Sequence, residues 1–463
     1  MAVPVATDLR RSASRYPRIL RPTPRPDSLP ELTLRDALAK AASQHPLIEA
    51  ARARLTSARG GRRTAGAIPN PVLTYMVEDA RDLGGKANIP LERETQTYLT
   101  LPLEPLFQRW PRVRQSDAEV RAAQAELTRA EQMVALDAAR AFFRVASAQV
   151  AVDAAEELRA RWGELVTFTS ARVREGITPE GELIRTRLEL DRVTASLTLE
   201  RVEWARARAA LAPYLGGTGP PATPVRIGDS RVEAFRVAVD SDSLARPMSA
   251  MPMPALATLM AQARAARPEL IAARERVAAA RADVGLQRTL TVQQLGATLG
   301  TKRRAGLTSL TAGLTLPLPL FNQNRGEVQR ATGQRMAAEQ ELLWTERQVA
   351  AEVAAAADAV LLLAAQLDEL RGSFLSRAEE SQRIALAAYQ DGAVSLLQVL
   401  DASRALADAR IMYYRTLFAQ RQSVLELNAA IGTALLGPPP HAGSAGGAPS
   451  AASSDSRLRG DAR

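Results

Sequence analysis

Leu99-Thr100-Leu101-Pro102-Leu103, followed by Pro105-Leu106-Phe107, returns later in the chain as Leu314-Thr315-Leu316-Pro317-Leu318, followed by Pro319-Leu320-Phe321. The copies stand about 215 residues apart, so the chain is a duplicated unit. Pro46 with its helical flank is echoed by Pro268. An acidic-Gly turn, Glu175-Gly176, is echoed by Asp391-Gly392, and each leads without a gap into a further helix at Glu182-Leu183-Ile184 and Gln398-Val399-Leu400. The first unit covers residues 31–215 and the second 255–436, joined by a Pro- and Gly-containing linker at 216–254. Residues 1–30 form a basic arm and 437–463 a Gly/Pro/Ala/Ser tail, both expected to be disordered.

Around the repeated motif the side chains alternate. Leu99, Leu101 and Leu103 interleave with Tyr98 and Thr100, and Leu310, Ala312, Leu314 and Leu316 with Thr311, Gly313 and Thr315. One apolar face and one small polar face suit a strand with lipid outside and water inside. An amphipathic strand of a soluble α+β protein would alternate in the same way. Val72 to Val77 and Val292 to Gly300 are the expected partners, which makes four strands per chain. Four strands cannot close a barrel, and a lipid-exposed sheet edge costs several kcal/mol per unpaired group, so closure requires other subunits. Pro102 and Pro317 end the second strand of each pair.

The remainder reads as helix. Thr33 and Asp36 open a first helix, as N-cap and first-turn acid, that continues to Gly60-Gly61. From Pro111 onward Val113, Val120, Leu127 and Val134 recur every seventh residue with Ala123 and Ala130 between them; Leu342, Val349, Ala356, Leu363 and Leu370 repeat the spacing. Sevenfold spacing marks a coiled-coil seam, and a helix from Arg112 to Arg174 would be about 90 Å long. The fold class is mainly α with a small β part. On the helices alone a soluble coiled-coil scaffold fits as well; that reading requires a cytosolic chain without strands.

Composition excludes other classes. Aromatic residues make up 4% and apolar residues 46%, the alphabet of long helices. Cysteine is absent and His45 and His441 are the only imidazoles, which removes thiol chemistry and makes a soft-ligand metal site improbable. The net charge of +10 draws on Arg10, Arg11, Arg15, Arg18, Arg21 and Arg25 in the arm, with no basic stripe carrying aromatics, so no nucleic-acid partner is expected. No enzyme motif is present. The most apolar run, Ala354 to Leu367, is broken by Asp358 and Gln366, so no helical membrane span is expected. The arginine- and proline-rich start has no apolar core of a signal peptide, which counts against export.

Ala65-Gly66-Ala67-Ile68-Pro69-Asn70-Pro71, the run from Leu316 to Val328 and the two glycine turns resemble TolC-like outer-membrane factors of tripartite efflux systems, of the cobalt–zinc–cadmium resistance type. The resemblance implies a homotrimer in the outer membrane, its strands forming one shared transmembrane β-barrel and its helices a periplasmic α-barrel. It implies a periplasmic membrane-fusion adaptor and an inner-membrane RND pump as partners. Passive export of divalent heavy-metal cations follows, with small organic toxins as the alternative cargo, and no catalysis or cofactor.

The same resemblance places adaptor contacts at Gly176, Ile177 and Thr178 and at Gly392, Ala393 and Val394. It places an aperture gate at Tyr389, Gln398 and Asp401, with Glu182 at the position of Gln398 in the first unit. Asp401 matches a ring-forming acid of the family; Gln398 stands where a second carboxylate is usual, and Glu182 could compensate. A threefold carboxylate ring repels itself and attracts cations.

Overall fold

The computed structural model describes residues 31–79, 93–216, 236–237, 253–292, 295–304 and 306–433. The basic arm, the tail and most of the linker lie outside the described residues.

The two units have parallel element orders. In the first, α1 (Leu34–Gln44) and α2 (Pro46–Gly66) lead into β2 (Val72–Asp79), β3 (Arg93–Pro102), α3 (Pro105–Arg174) and α4 (Glu180–Leu211). In the second, α5 (Leu256–Ala266) and α6 (Pro268–Thr289) lead into β5 (Gly296–Arg304), β6 (Leu307–Thr315), α7 (Arg325–Glu369), a π turn (Leu370–Phe374), α8 (Leu375–Gln390) and α9 (Leu396–Ala430). Two short strands, β1 (Glu31–Leu32) and β4 (Arg236–Val237), pair in parallel.

Thr33 caps α1 by accepting from the Asp36 amide at 3.1 Å, as expected. The helix does not continue to Gly60-Gly61 unbroken. His45 adopts an extended conformation (φ −76°, ψ 128°) because the residue before a proline is driven out of the α region, and α2 restarts on Pro46. Gly60 and Gly61 lie inside α2. Arg267 before Pro268 repeats the break at φ −66°, ψ 120°.

The first long helix starts before the expected Arg112, on Pro105, and takes Pro111 into its interior. Pro105 stands where a missing amide costs nothing, and Pro111 forfeits a single bond in a helix of 70 residues, about 105 Å long. Leu127 and Val134 are buried on its seam; in the second unit Val349 and Leu370 are buried and Leu342, Ala356 and Leu363 half-buried. α3 packs against α2, α4, α6 and α9. Its main core joins Ile48, Val134, Phe142, Phe143, Leu211 and Phe418. Contrary to expectation, one window within Arg325–Tyr389 is long and apolar enough, by length and composition, to cross a bilayer; only 17% of it is buried in the subunit.

The sheet is antiparallel, ordered β2-β3-β5-β6, so the central β3–β5 pairing welds the units together. Residues opposite one another share a face. Leu73, Leu99, Leu299 and Ala312 form one row, Leu101, Ala297 and Leu314 the next, and all five of these leucines are exposed. The other face carries Thr74, Tyr98, Gly300 and Thr311, then Thr100, Thr298 and Gly313. Tyr98 lies against Gly300, where an added Cβ would stand 2.6 Å from its ring. The expected strand from Val292 begins later, at Gly296, because Val292 still donates to Thr289 in the turn closing α6. The sheet contradicts the scaffold reading, which required a chain without strands.

Candidate functional site

At the end farthest along the helices from the sheet, each unit turns once. Gly176 has φ +72° and Gly392 φ +78°, a left-handed conformation that glycine adopts without a Cβ penalty. In the first turn Gly176 donates to Val173 at 3.1 Å and Ile177 to Arg172 at 2.9 Å. In the second, Gly392 donates to Tyr389 at 3.0 Å and Ala393 to Ala388 at 2.8 Å. Both are Schellman closures, satisfying the last carbonyls of one helix before the next begins. Gly176, Ile177, Gly392 and Ala393 are exposed, Val394 is half-buried, and Thr178 is buried.

Behind the turns the units touch. The Tyr389 hydroxyl donates to Glu182 Oε1 at 3.2 Å, joining the last turn of α8 to the first turn of α4. Tyr389 is buried with Trp162, Leu396, Val399 and Leu400, and meets Phe168 edge-on at 6.1 Å. Burial pushes its hydroxyl above the usual tyrosine range; the Thr169 hydroxyl opposes this and the Glu182 charge adds to it. Glu182 also profits from the positive N-terminal end of α4. Farther from the tip, Arg404 of α9 pairs with Glu189 of α4, and Arg410 with Glu157 of α3 at 2.7 Å.

Gln398 and Asp401 are exposed on α9 and line an open groove with Ile384, Ala385 and Ala388 of α8. The structure therefore brings Tyr389 and Glu182 together and places Gln398 and Asp401 on a different surface. Two ties had escaped sequence reading. The Gln149 amide, buried on α3, both donates to and accepts from the Val237 backbone, at 3.2 and 3.0 Å. Arg267 donates to the Ala430 carbonyl at 3.0 Å, closing α9. A lone Gln or Arg in a helical pattern carries no signal of a partner so far along the chain. Among the described residues no cluster of three or more His, Cys, Asp or Glu could hold a metal ion.

Long paired helices ending in glycine turns, joined to a small antiparallel sheet with one exposed apolar face, are the architecture of TolC-like channels. The chain belongs to the outer membrane efflux protein family, whose profile matches residues 37–217 and 259–433. It is 28% identical over 413 residues to the cobalt-zinc-cadmium resistance protein CzcC of Cupriavidus metallidurans, covering 87% of this chain and 90% of that protein. It is 25% identical to the cation efflux system protein CusC of Escherichia coli K12, over 74% of this chain and 72% of CusC. A crystal structure of CusC superposes with a TM-score of 0.69 at 19% identity, covering 93% of this chain and all of that one.

Proposed function

We propose that three copies of this chain form one duct that conducts substrate passively across the outer membrane and the periplasm. The observation that carries this reading is the sheet: β2 and β6 are its edges, each paired on one side within the chain, while its apolar face is exposed. Pairing β2 of one copy with β6 of the next removes every edge and closes a barrel. The helices support the same assembly. α4 exposes Ile184, Leu188, Leu199 and Val202 along one stripe, and α7 exposes Met336, Leu343, Trp344, Leu361 and Leu362, apolar surface that neighbouring copies would cover. We divide the chain into units 31–215 and 255–436 on either side of the linker.

In this reading the turns at Gly176, Ile177, Thr178 and Gly392, Ala393, Val394 meet a periplasmic membrane-fusion adaptor through their exposed residues Gly176, Ile177, Gly392 and Ala393, and the adaptor connects the duct to an inner-membrane RND pump. Tyr389 and Glu182 hold the tip closed, and Asp401, repeated three times, lines the aperture with Gln398 one helical turn away. The duct performs no catalysis. Its cargo is divalent heavy-metal cations, the reading favoured by similarity to two proteins named for metal resistance and cation efflux; small organic toxins are the alternative.

Native mass spectrometry of the detergent-extracted protein, exported behind a cleavable signal, tests the assembly: a trimer is expected, and a soluble monomer or dimer would overturn it. Cobalt, zinc and cadmium tolerance of cells carrying the protein or Asp401→Ala tests the cargo. Tolerance that does not depend on the protein removes metals from the proposal.

A further inference from the structure

The charges of the sheet gather at the end of its strands away from the neck, where strands become helices. On the face that carries Tyr98 and Gly300, Glu78, Glu94 and Arg304 stand in one row, and Met76, Gln96, Lys302 and Ser309 in the next. Among the described residues these rows hold all the charge of that face, two acids against two bases. Glu94 differs from the other three. It is only 8% exposed, whereas Glu78 and Arg304 are exposed and Lys302 is half-buried. Residues 94, 96 and 98 share a face because a strand has a period of two, and their side chains join into one line. The Glu94 carboxylate pairs with the Lys302 ammonium and accepts from the Gln96 amide, and the Tyr98 hydroxyl donates to Gln96 in turn. A buried carboxylate persists in such a place only where a cation answers its charge.

We propose that Glu94 is a specificity-determining residue of the duct: by cancelling Lys302 it keeps the outer end of the barrel from becoming a positive ring, so that divalent cations can leave. The proposal rests on the duct reading above, in which this face lines the water-filled lumen and three copies close the barrel. Every lumenal charge then recurs three times around one circumference. Three bare lysines would act on both charges of a departing divalent cation, and within a screening length of about 8–10 Å salt would not remove the repulsion. The pairing runs diagonally across the ladder. Lys302 stands opposite Gln96, an amide that cannot neutralise it, while Glu94 stands opposite Arg304 one row farther out. Gln96 and Tyr98 are positioning residues, since their hydrogen bonds hold the carboxylate in the line that ends on Lys302. The two ends of the chain thus handle charge in opposite ways: Asp401 is exposed on α9, whereas Lys302 is masked by a buried acid.

The chain has no cysteine, so a single reporter can be placed beside the pair. Ser309 is exposed and stands opposite Lys302; Ser309→Cys trimers in lipid nanodiscs are reacted with a cationic and with an anionic methanethiosulfonate. The ratio of the two rates reads the local potential. Added to Ser309→Cys, Glu94→Gln is expected to lower the cationic-to-anionic ratio about threefold or more at ~0.1 M salt, and Lys302→Gln to raise it by a similar factor. The double variant should return to the starting ratio, and both single effects should fade at ~1 M salt. A ratio that neither single variant moves overturns the proposal, and so does a double variant that stays displaced, because the two charges would then not cancel each other. If Glu94→Gln does not assemble, Lys302→Gln decides alone: a ratio that does not rise overturns the proposal. Leu299→Cys, on the apolar face, keeps the two readings apart. It is expected to react far more slowly than Ser309→Cys with both reagents; equal reactivity would mean that the outer-membrane duct reading itself has failed.

Discussion

The two units use one plan and differ in how their long helices travel to the tip. In the first, α3 runs without interruption from the neck to Arg174. In the second, the same path is broken by the π turn Leu370–Phe374, where Leu375 donates to Leu370. The sequence offset explains the difference. Leu99 and Leu314 stand 215 residues apart and Phe107 and Phe321 214, whereas Gly176 and Gly392, after the turn, stand 216 apart, so the second unit is the longer over this span and the π turn holds one of its extra residues. A helix absorbs one inserted residue by widening a single turn, which leaves the seam in phase on both sides. Leu370 and Leu375 are accordingly both buried. The duplicated unit thus keeps the phase of its packing faces and tolerates a change of length only where the backbone can absorb it.

Deleting one residue from each long helix should separate the two units by the largest margin. Removing Gly372 should convert the π turn to α-helix and leave stability within about 1 kcal/mol, because no packing residue changes face. Removing Ala155 from α3 should rotate everything beyond it by about 100°, turning Trp162 and Thr169 out of the core, and abolish cooperative unfolding. Thermal melts followed by circular dichroism decide it; equal damage from both deletions would refute the insertion account.

A second contrast lies in the glycines at matched positions. Gly176, Gly392 and Gly432 all have positive φ, but a Cβ meets nothing at the first two, whereas at Gly432 it would stand 2.7 Å from the Ala266 carbonyl carbon and 2.8 Å from its oxygen. Alanine at Gly176 or Gly392 should therefore cost about 1–2 kcal/mol from backbone strain alone. Gly432→Ala should cost more, since the chain end of α9 must also move off the break between α5 and α6. Equal shifts in melting temperature at all three would show that the close approach is not felt.

Smaller still is the link between units at the tip. Tyr389→Phe should cost about 0.5–1.5 kcal/mol, the worth of one hydrogen bond. The Tyr389 hydroxyl is raised above its ordinary value, so its contribution is present below that value, near pH 10, and is lost as pH climbs through the higher folded value. The difference in stability between the parent and Tyr389→Phe should then shrink at strongly alkaline pH. A difference that stays constant would mean that folding does not raise the titration of the Tyr389 hydroxyl.

Much of this architecture is legible in the chain, and the exceptions have physical causes. The strands read clearly because alternation has a period of two and the motif recurs. Pro46 and Pro268 were visible as anchors, yet the helix break they impose was lost in the run of alanines on either side. The π turn shows in the sequence only as a change of offset by a residue or two, a signal too small to locate without backbone geometry. Gln149 with Val237 and Tyr389 with Glu182 join positions distant in sequence, and no local pattern couples them. Family resemblance supplied candidate tip residues, but it did not show that Glu182 is engaged by Tyr389 while Gln398 is not held in the same way.

That last difference predicts the smallest effect on stability. Glu182 and Gln398 occupy matched positions, one carrying a carboxylate that accepts from Tyr389 and the other an amide on an open groove. If the first acid is committed to its hydrogen bond, it adds little to the charge that Asp401 presents. Gln398→Glu would then place a second carboxylate one turn from Asp401 on the same helix face, and like charges at that spacing destabilise a helix by only about 0.2–0.5 kcal/mol. Stability should barely change, while single-channel recordings in planar bilayers should show increased cation preference at low salt, fading as ionic strength rises and screens the ring. Glu182→Gln should leave that preference nearly untouched and weaken the tip instead. If the two substitutions shift cation preference equally and oppositely, Glu182 faces the conducted ions after all, and the units share the aperture evenly.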